Sequence, residues 1–179
     1  ERGARWMPGQ FGVLKGGGPA SVWKIDGASG AVSLFANLQY DGKSNTGPGL
    51  GTVAYDPRSE QLFVTDLEFG IIHRLGLDGS ERGSFDHGTT GRAAAGLETI
   101  PYDASRRMGI ERPEFNVEDP FTWGLADARR RVFAVAVQDG RVYYSVAKPL
   151  QVWSVGLNSD GSFADDARAE FDVKDTPND

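Results

Sequence analysis

The 179-residue chain has no cysteine. That excludes disulfides, thiolate metal sites and cysteine nucleophiles, and it fits the cytosol and a bacterial exterior equally well. No apolar run approaches the ~20 residues that a membrane-spanning helix needs, so no membrane insertion is expected. Helical periodicity is nearly missing. Catalytic signatures are missing too: there is no G-x-S-x-G elbow, no P-loop, no dinucleotide-binding glycine pattern and no H-E-x-x-H pair. Excess positive charge is also lacking. With 19 Lys and Arg against 25 Asp and Glu, the net charge is −6 and the pI about 5.0. That balance speaks against attraction to nucleic acid or anionic membranes, which requires a broad basic surface. The one run of three bases, Arg129 to Arg131, follows Asp127 closely. The chain opens on Glu1 with neither an initiator methionine nor a signal-peptide pattern. Trimming of the N-terminus is therefore expected, and a lost signal sequence stays open. A periplasmic or extracellular location is the expectation.

What the chain does have is glycine, 24 residues of it, with no collagen-like period. Many tight turns are the simplest explanation. Between the Gly, Asp, Asn and Pro clusters lie short alternating runs of β-branched and aromatic residues, the pattern of short strands. The runs predict strands over 21–25, 31–36, 51–55, 61–66, 71–77, 81–85, 132–137, 141–146, 151–157 and 168–173. Asp56-Pro57-Arg58-Ser59, Asp78-Gly79, Asp139-Gly140 and Asp160-Gly161 supply hairpin turns between them.

An internal repeat organises these strands. Leu62-Phe63-Val64-Thr65-Asp66 falls on Val142-Tyr143-Tyr144-Ser145-Val146 at an offset of 80 residues. The same offset sets Ile72 to Asp78 on Val152 to Asn158 without a gap. Val22 to Gly27 matches the later half of the unit once more. Each full unit holds four strands in about 40 residues, the length of a β-propeller blade. The predicted fold is therefore all-β, a propeller of four-stranded antiparallel blades that is incomplete in this chain. It comprises a half blade over 21–38, a full blade over 49–88, a long insertion over 89–131 and a full blade over 132–173. The competing reading is a β-sandwich with similar hairpins. Because propellers close with 4–8 blades, about two and a half leave inner faces and edges open. Remaining blades or another protein chain are the expected partners.

The stretch 49–75, GLGTVAYDPRSEQLFVTDLEFGIIHRL, resembles blades of the NHL-repeat and SMP-30/gluconolactonase-like propellers. The likeness rests on Gly51, Asp56-Pro57, Leu62 to Asp66 and Ile72-His73-Arg74. The second unit keeps the strands but has Val146 at the acidic position, and the resemblance covers roughly half the chain. It implies ligand binding at one end of a central channel. In SMP-30-like lactonases it further implies a divalent cation held by Glu, Asn and Asp from several blades.

Asp66, Glu68 and Asn45 are the candidate hard-oxygen ligands for such a cation, Ca²⁺ being the type expected if any cofactor is present. Against this, the Asp at the position of Asp66 often caps a turn in NHL-like blades. Asp86, His87 and Trp123 are candidate binding-loop residues. Asp86-His87 opens the insertion as an acid-base pair without a nucleophile, and Trp123 lies outside the strands. His73, aligned with Trp153, reads as a packing or edge residue. The first expectation for function is a non-catalytic binding or scaffold module of a secreted or periplasmic bacterial protein. The alternatives are an SMP-30-like metal-dependent hydrolase or lactonase, and an assembly subunit that uses open blade edges.

Overall fold

A computed structural model of the chain describes residues 16–47, 49–106, 113–116, 118–119 and 122–173. The described residues fold into four antiparallel sheets with little helix, so the protein is all-β. Strands β1 (Ser21–Ile25) and β2 (Val32–Asn37) form one hairpin, and β3 (Gln39–Tyr40) with β4 (Lys43–Ser44) forms a second, much smaller one. The first four-stranded sheet is the meander β5 (Leu50–Asp56), β6 (Gln61–Asp66), β7 (Ile71–Gly76) and β8 (Glu81–Asp86). The second is β9 (Val132–Gln138), β10 (Arg141–Val146), β11 (Gln151–Gly156) and β12 (Arg168–Asp172). The described residues form no closed ring of sheets.

Turn chemistry ends the strands where the sequence predicts. The Asp56, Asp78 and Asp160 carboxylates each accept a hydrogen bond from the backbone N–H two residues on, at 2.9–3.0 Å. These Asx turns offer the backbone an alternative to the ladder and fold the chain back. Two segments depart from expectation. Residues 39–44, outside every predicted strand, hold the β3–β4 hairpin, whose strands are too short to carry a visible alternation. The start of the insertion, His87–Gly91 followed by Arg92–Ala94, is helical, opened by an Asp86 side chain that accepts from the Thr89 N–H. Farther into the insertion, Ala104–Arg106 forms a short helical turn.

The layers stack in one direction. In the first sheet, paired residues share a face, so Val64 with His73 and Leu62 with Leu75 lie on one side. That side packs on Ala20, Val22, Phe35 and Leu38 around the β1–β2 hairpin. The opposite side, with Phe63, Ile72 and Phe85, packs on Val142, Tyr144, Trp153 and Val155 of the second sheet. Each large apolar side chain so buried contributes roughly 1.5–3 kcal/mol. Residues 80 apart therefore face the same way. Val64 and Tyr144, His73 and Trp153, Leu75 and Val155 all point to the preceding sheet.

The first strands of the two sheets come closest. Thr52 N–H donates to Thr65 Oγ1 at 2.9 Å, Thr65 Oγ1 donates to the Phe133 carbonyl at 2.5 Å, and Val135 N–H donates to Thr52 Oγ1 at 2.9 Å. A Cβ at residue 51 would stand 2.4 Å from Thr65 Oγ1 and 2.6 Å from the Phe133 carbonyl, so only Gly51 permits this approach. Farther out, Phe163, Phe85 and Tyr144 fill the gap as ring pairs 5.3 and 5.8 Å apart.

Candidate functional site

Antiparallel connectivity puts the β6–β7 turn and the link into the insertion at one end of the first sheet. Of the expected site residues, all but Trp123 gather at this end, and most of them are buried. Asp66, fully buried, ends β6. Its Oδ1 accepts from Glu68 N–H at 2.8 Å and Phe69 N–H at 3.1 Å, while Oδ2 lies 3.4 Å from His73 Nε2. Glu68 accepts from Thr46 N–H at 2.8 Å and Thr46 Oγ1 at 3.0 Å. A cation between these carboxylates would have to compete with bonds that hold the turn. Asn45 is different. It is 5% exposed, lies against Glu68 across Gly49, and neither polar atom of its amide has a hydrogen-bond partner. Among the described residues, no group of three or more His, Cys, Asp or Glu side chains is arranged to hold a metal ion.

Below Asp66 lies a charge chain that the sequence reading missed. His73 Nδ1–H donates to Glu81 Oε1 at 2.6 Å, so one imidazole bridges two carboxylates from β6 and β8. Burial alone would lower its pKa, but the hydrogen bonds and charges of Asp66 and Glu81 outweigh burial and raise it to about 9. At neutral pH the ring is an imidazolium. His73 is indeed packed, yet it sits on an interior strand and carries a charge.

Asp86 and His87 diverge although they are neighbours. Asp86 Oδ2 accepts from Tyr40 Oη at 3.2 Å, and Oδ1 accepts from Arg130 Nη2 at 3.0 Å. Arg130 is 1% exposed and spends its other donors on the Phe69 carbonyl at 2.7 and 3.0 Å and the Ile100 carbonyl at 2.7 Å. It thereby ties the insertion to the first sheet. A run of three arginines reads as a solvated stretch, and nothing local distinguishes Arg130 from Arg129, which is exposed and paired with Asp127. His87 points the other way, into the core between the sheets. Its Nδ1 shares a 3.1 Å hydrogen bond with Tyr144 Oη, and Trp153 meets its ring edge-on at 4.7 Å. Burial, aided by Arg92, pushes its pKa down to about 3, so the ring is neutral. Trp123 joins neither group. Its Nε1–H donates to the Asn116 carbonyl at 3.0 Å within the insertion.

The opening near Asp86 is a cleft of about 750 Å³ along the outer strand β8. Tyr40, Glu81, Ser84, Asp86, Thr89 and Tyr102 line it. The buried Phe69 packs against two of these residues, with ring centroids 5.4 Å from Tyr40 and 5.0 Å from Tyr102. Each carboxylate here already has a cationic or hydroxyl partner, and no nucleophile stands beside a free base. Such a surface can hold a ligand through aromatic faces and hydroxyls. Compared with known protein families and with curated proteins, the chain matches none of them.

Proposed function

We propose that the chain is a sector of a β-propeller and that it works as a non-catalytic binding module, with the β8 cleft as its ligand site. The observation that carries this reading is the head-to-tail stacking. In a sandwich of two similar sheets, equivalent faces meet. Here the face of the second sheet that carries Tyr144 and Trp153 packs on the opposite face of the first, and the first repeats the relation toward β1–β2. Heterologous stacking of this kind closes into a ring when the rotation allows. The far face of the second sheet then awaits a further unit. Tyr143 and Val152, 80 residues after the fully buried Phe63 and Ile72, are only half-buried there.

A second reading, a divalent-metal-dependent lactonase or hydrolase, draws support from the unpartnered Asn45 amide beside Glu68. Calcium titration by calorimetry, run beside a lactone-hydrolysis assay, separates the two. The binding-module reading expects no calcium-dependent turnover, and turnover that requires calcium sinks it. Light scattering tests the stacking. The open far face should associate as concentration rises, and Val152→Glu should abolish this. A monomer at every concentration overturns the open-face argument.

A further inference from the structure

A smaller, strongly polar pocket of about 290 Å³ lies at the other end of the sheets, where the β5–β6 turn meets the β9–β10 and β11–β12 turns. Asp56, Arg58, Ser59, Gly140, Asn158 and Ser159 line it, with Leu157 as its apolar patch. Asp56 is 2% exposed. Its Oδ1 accepts from the Arg58 N–H at 3.0 Å, but its Oδ2 is buried and has no hydrogen-bond partner. A buried acceptor without a donor is costly, and native proteins seldom leave one.

Arg58, two residues on, could neutralise it, yet the two side chains form no ion pair. The Arg58 guanidinium is instead spread over Gly140, where Nη1 would stand 2.8 Å from an added Cβ. One short turn thus brings a buried carboxylate and an exposed guanidinium to the lining of the same pocket without joining them. Ser59 from the same turn and Ser159 from the β11–β12 turn also line the pocket.

We propose that this pocket binds a small zwitterion of the α-amino-acid type, its ammonium on Asp56 Oδ2 and its carboxylate on Arg58. The volume, near the lower limit for small-molecule sites, restricts the ligand to a short side chain. The guanidinium at the rim disfavours a bare metal cation. A neutral polyol would use the hydroxyls but leave both charges unanswered. The site does not depend on the propeller reading, because every lining residue belongs to turns of the two sheets already described.

The test is calorimetry on the intact chain with the common amino acids, alongside methylamine, acetate, glycerol and glycine betaine. Binding of a small amino acid is expected, with glycine betaine, which has no N–H, at least tenfold weaker. Asp56→Asn keeps the Oδ1 acceptor that holds the turn and removes the charge. It should weaken binding tenfold or more while leaving the melting temperature close to wild type. Arg58→Gln should weaken it similarly and relax the preference for a free carboxylate. Undetectable binding of every amino acid would mean that the pocket holds water only, and the proposal fails. It fails equally if glycerol binds as well as the amino acids, or if Asp56→Asn binds them undiminished.

Discussion

The Asp66–His73–Glu81 chain gives the protein a pH dependence that can be worked out in advance. His73 titrates near pH 6.5 when unfolded and near 9 when folded. Between these values the folded state holds a proton that the unfolded state has lost, so stability must fall as pH rises. The contribution is complete below about pH 6.5 and gone above about pH 9. At 1.36 kcal/mol per pH unit this amounts to about 3 kcal/mol, a large share of the 5–15 kcal/mol typical of a domain. The only other histidine does not interfere, because His87 is neutral in both states above pH 6.5. Equilibrium urea denaturation at pH 6.5, 7.5, 8.5 and 9.5 should therefore show a steady decline in unfolding free energy. His73→Gln should be less stable at pH 6.5 but flat across the series. Asp66→Asn should shift the decline to lower pH while keeping the Oδ1 acceptor of the turn. A flat wild-type profile, or equal slopes in wild type and His73→Gln, would refute the imidazolium bridge.

The other predictions concern parts the same chain does not touch. Acidification should expose His87, since a ring held near pKa 3 and released to 6.5 on unfolding costs stability progressively as pH falls below 6.5; His87→Phe should lessen that slope in acid-denaturation curves. Arg130→Ala removes the cationic partner of Asp86 and the side-chain donor to two carbonyls and should cost about 3–5 kcal/mol by chemical denaturation. Arg130→Lys, which cannot fork across two carbonyls, should recover only part of this. Thr65→Val removes the donor to Phe133 at the closest approach of the sheets and should cost about 1 kcal/mol. Trp153→Ala should cost about 3–5 kcal/mol through the cavity left between the sheets.

The strands were legible because their information is local. Leu62 to Asp66 and Val142 to Val146 are short runs rich in β-branched and aromatic residues, and Asp-Gly or Asp-Pro pairs mark where strands stop. The 80-residue offset carried more than repetition, because it foretold which residues of the two sheets would be equivalent. Elements without periodicity stayed hidden. Two-residue strands such as Gln39–Tyr40 cannot alternate, and the helical turn after Asp86 has no apolar stripe to announce it. Among the site residues, the roles of Asp66 and His73 depended on contact across strands. His73 meets Glu81 eight residues away, around a turn, and Asp86 meets Arg130 across 44 residues of sequence. Residue type gives the capacity for such pairs, but only the fold chooses between Arg129, Arg130 and Arg131.

That 44-residue reach bears on how the chain is made. A ribosome delivers β5 to β8 well before Arg130, so the first sheet emerges with the Phe69 carbonyl and the Asp86 carboxylate still lacking the Arg130 guanidinium. Its end near the cleft can settle only after the whole insertion has left the exit tunnel, just as β9 follows to cover Phe63 and Ile72. Arg130 stands two residues before β9, so the bonds that close this end of the first sheet and the first strand of the next layer become available together.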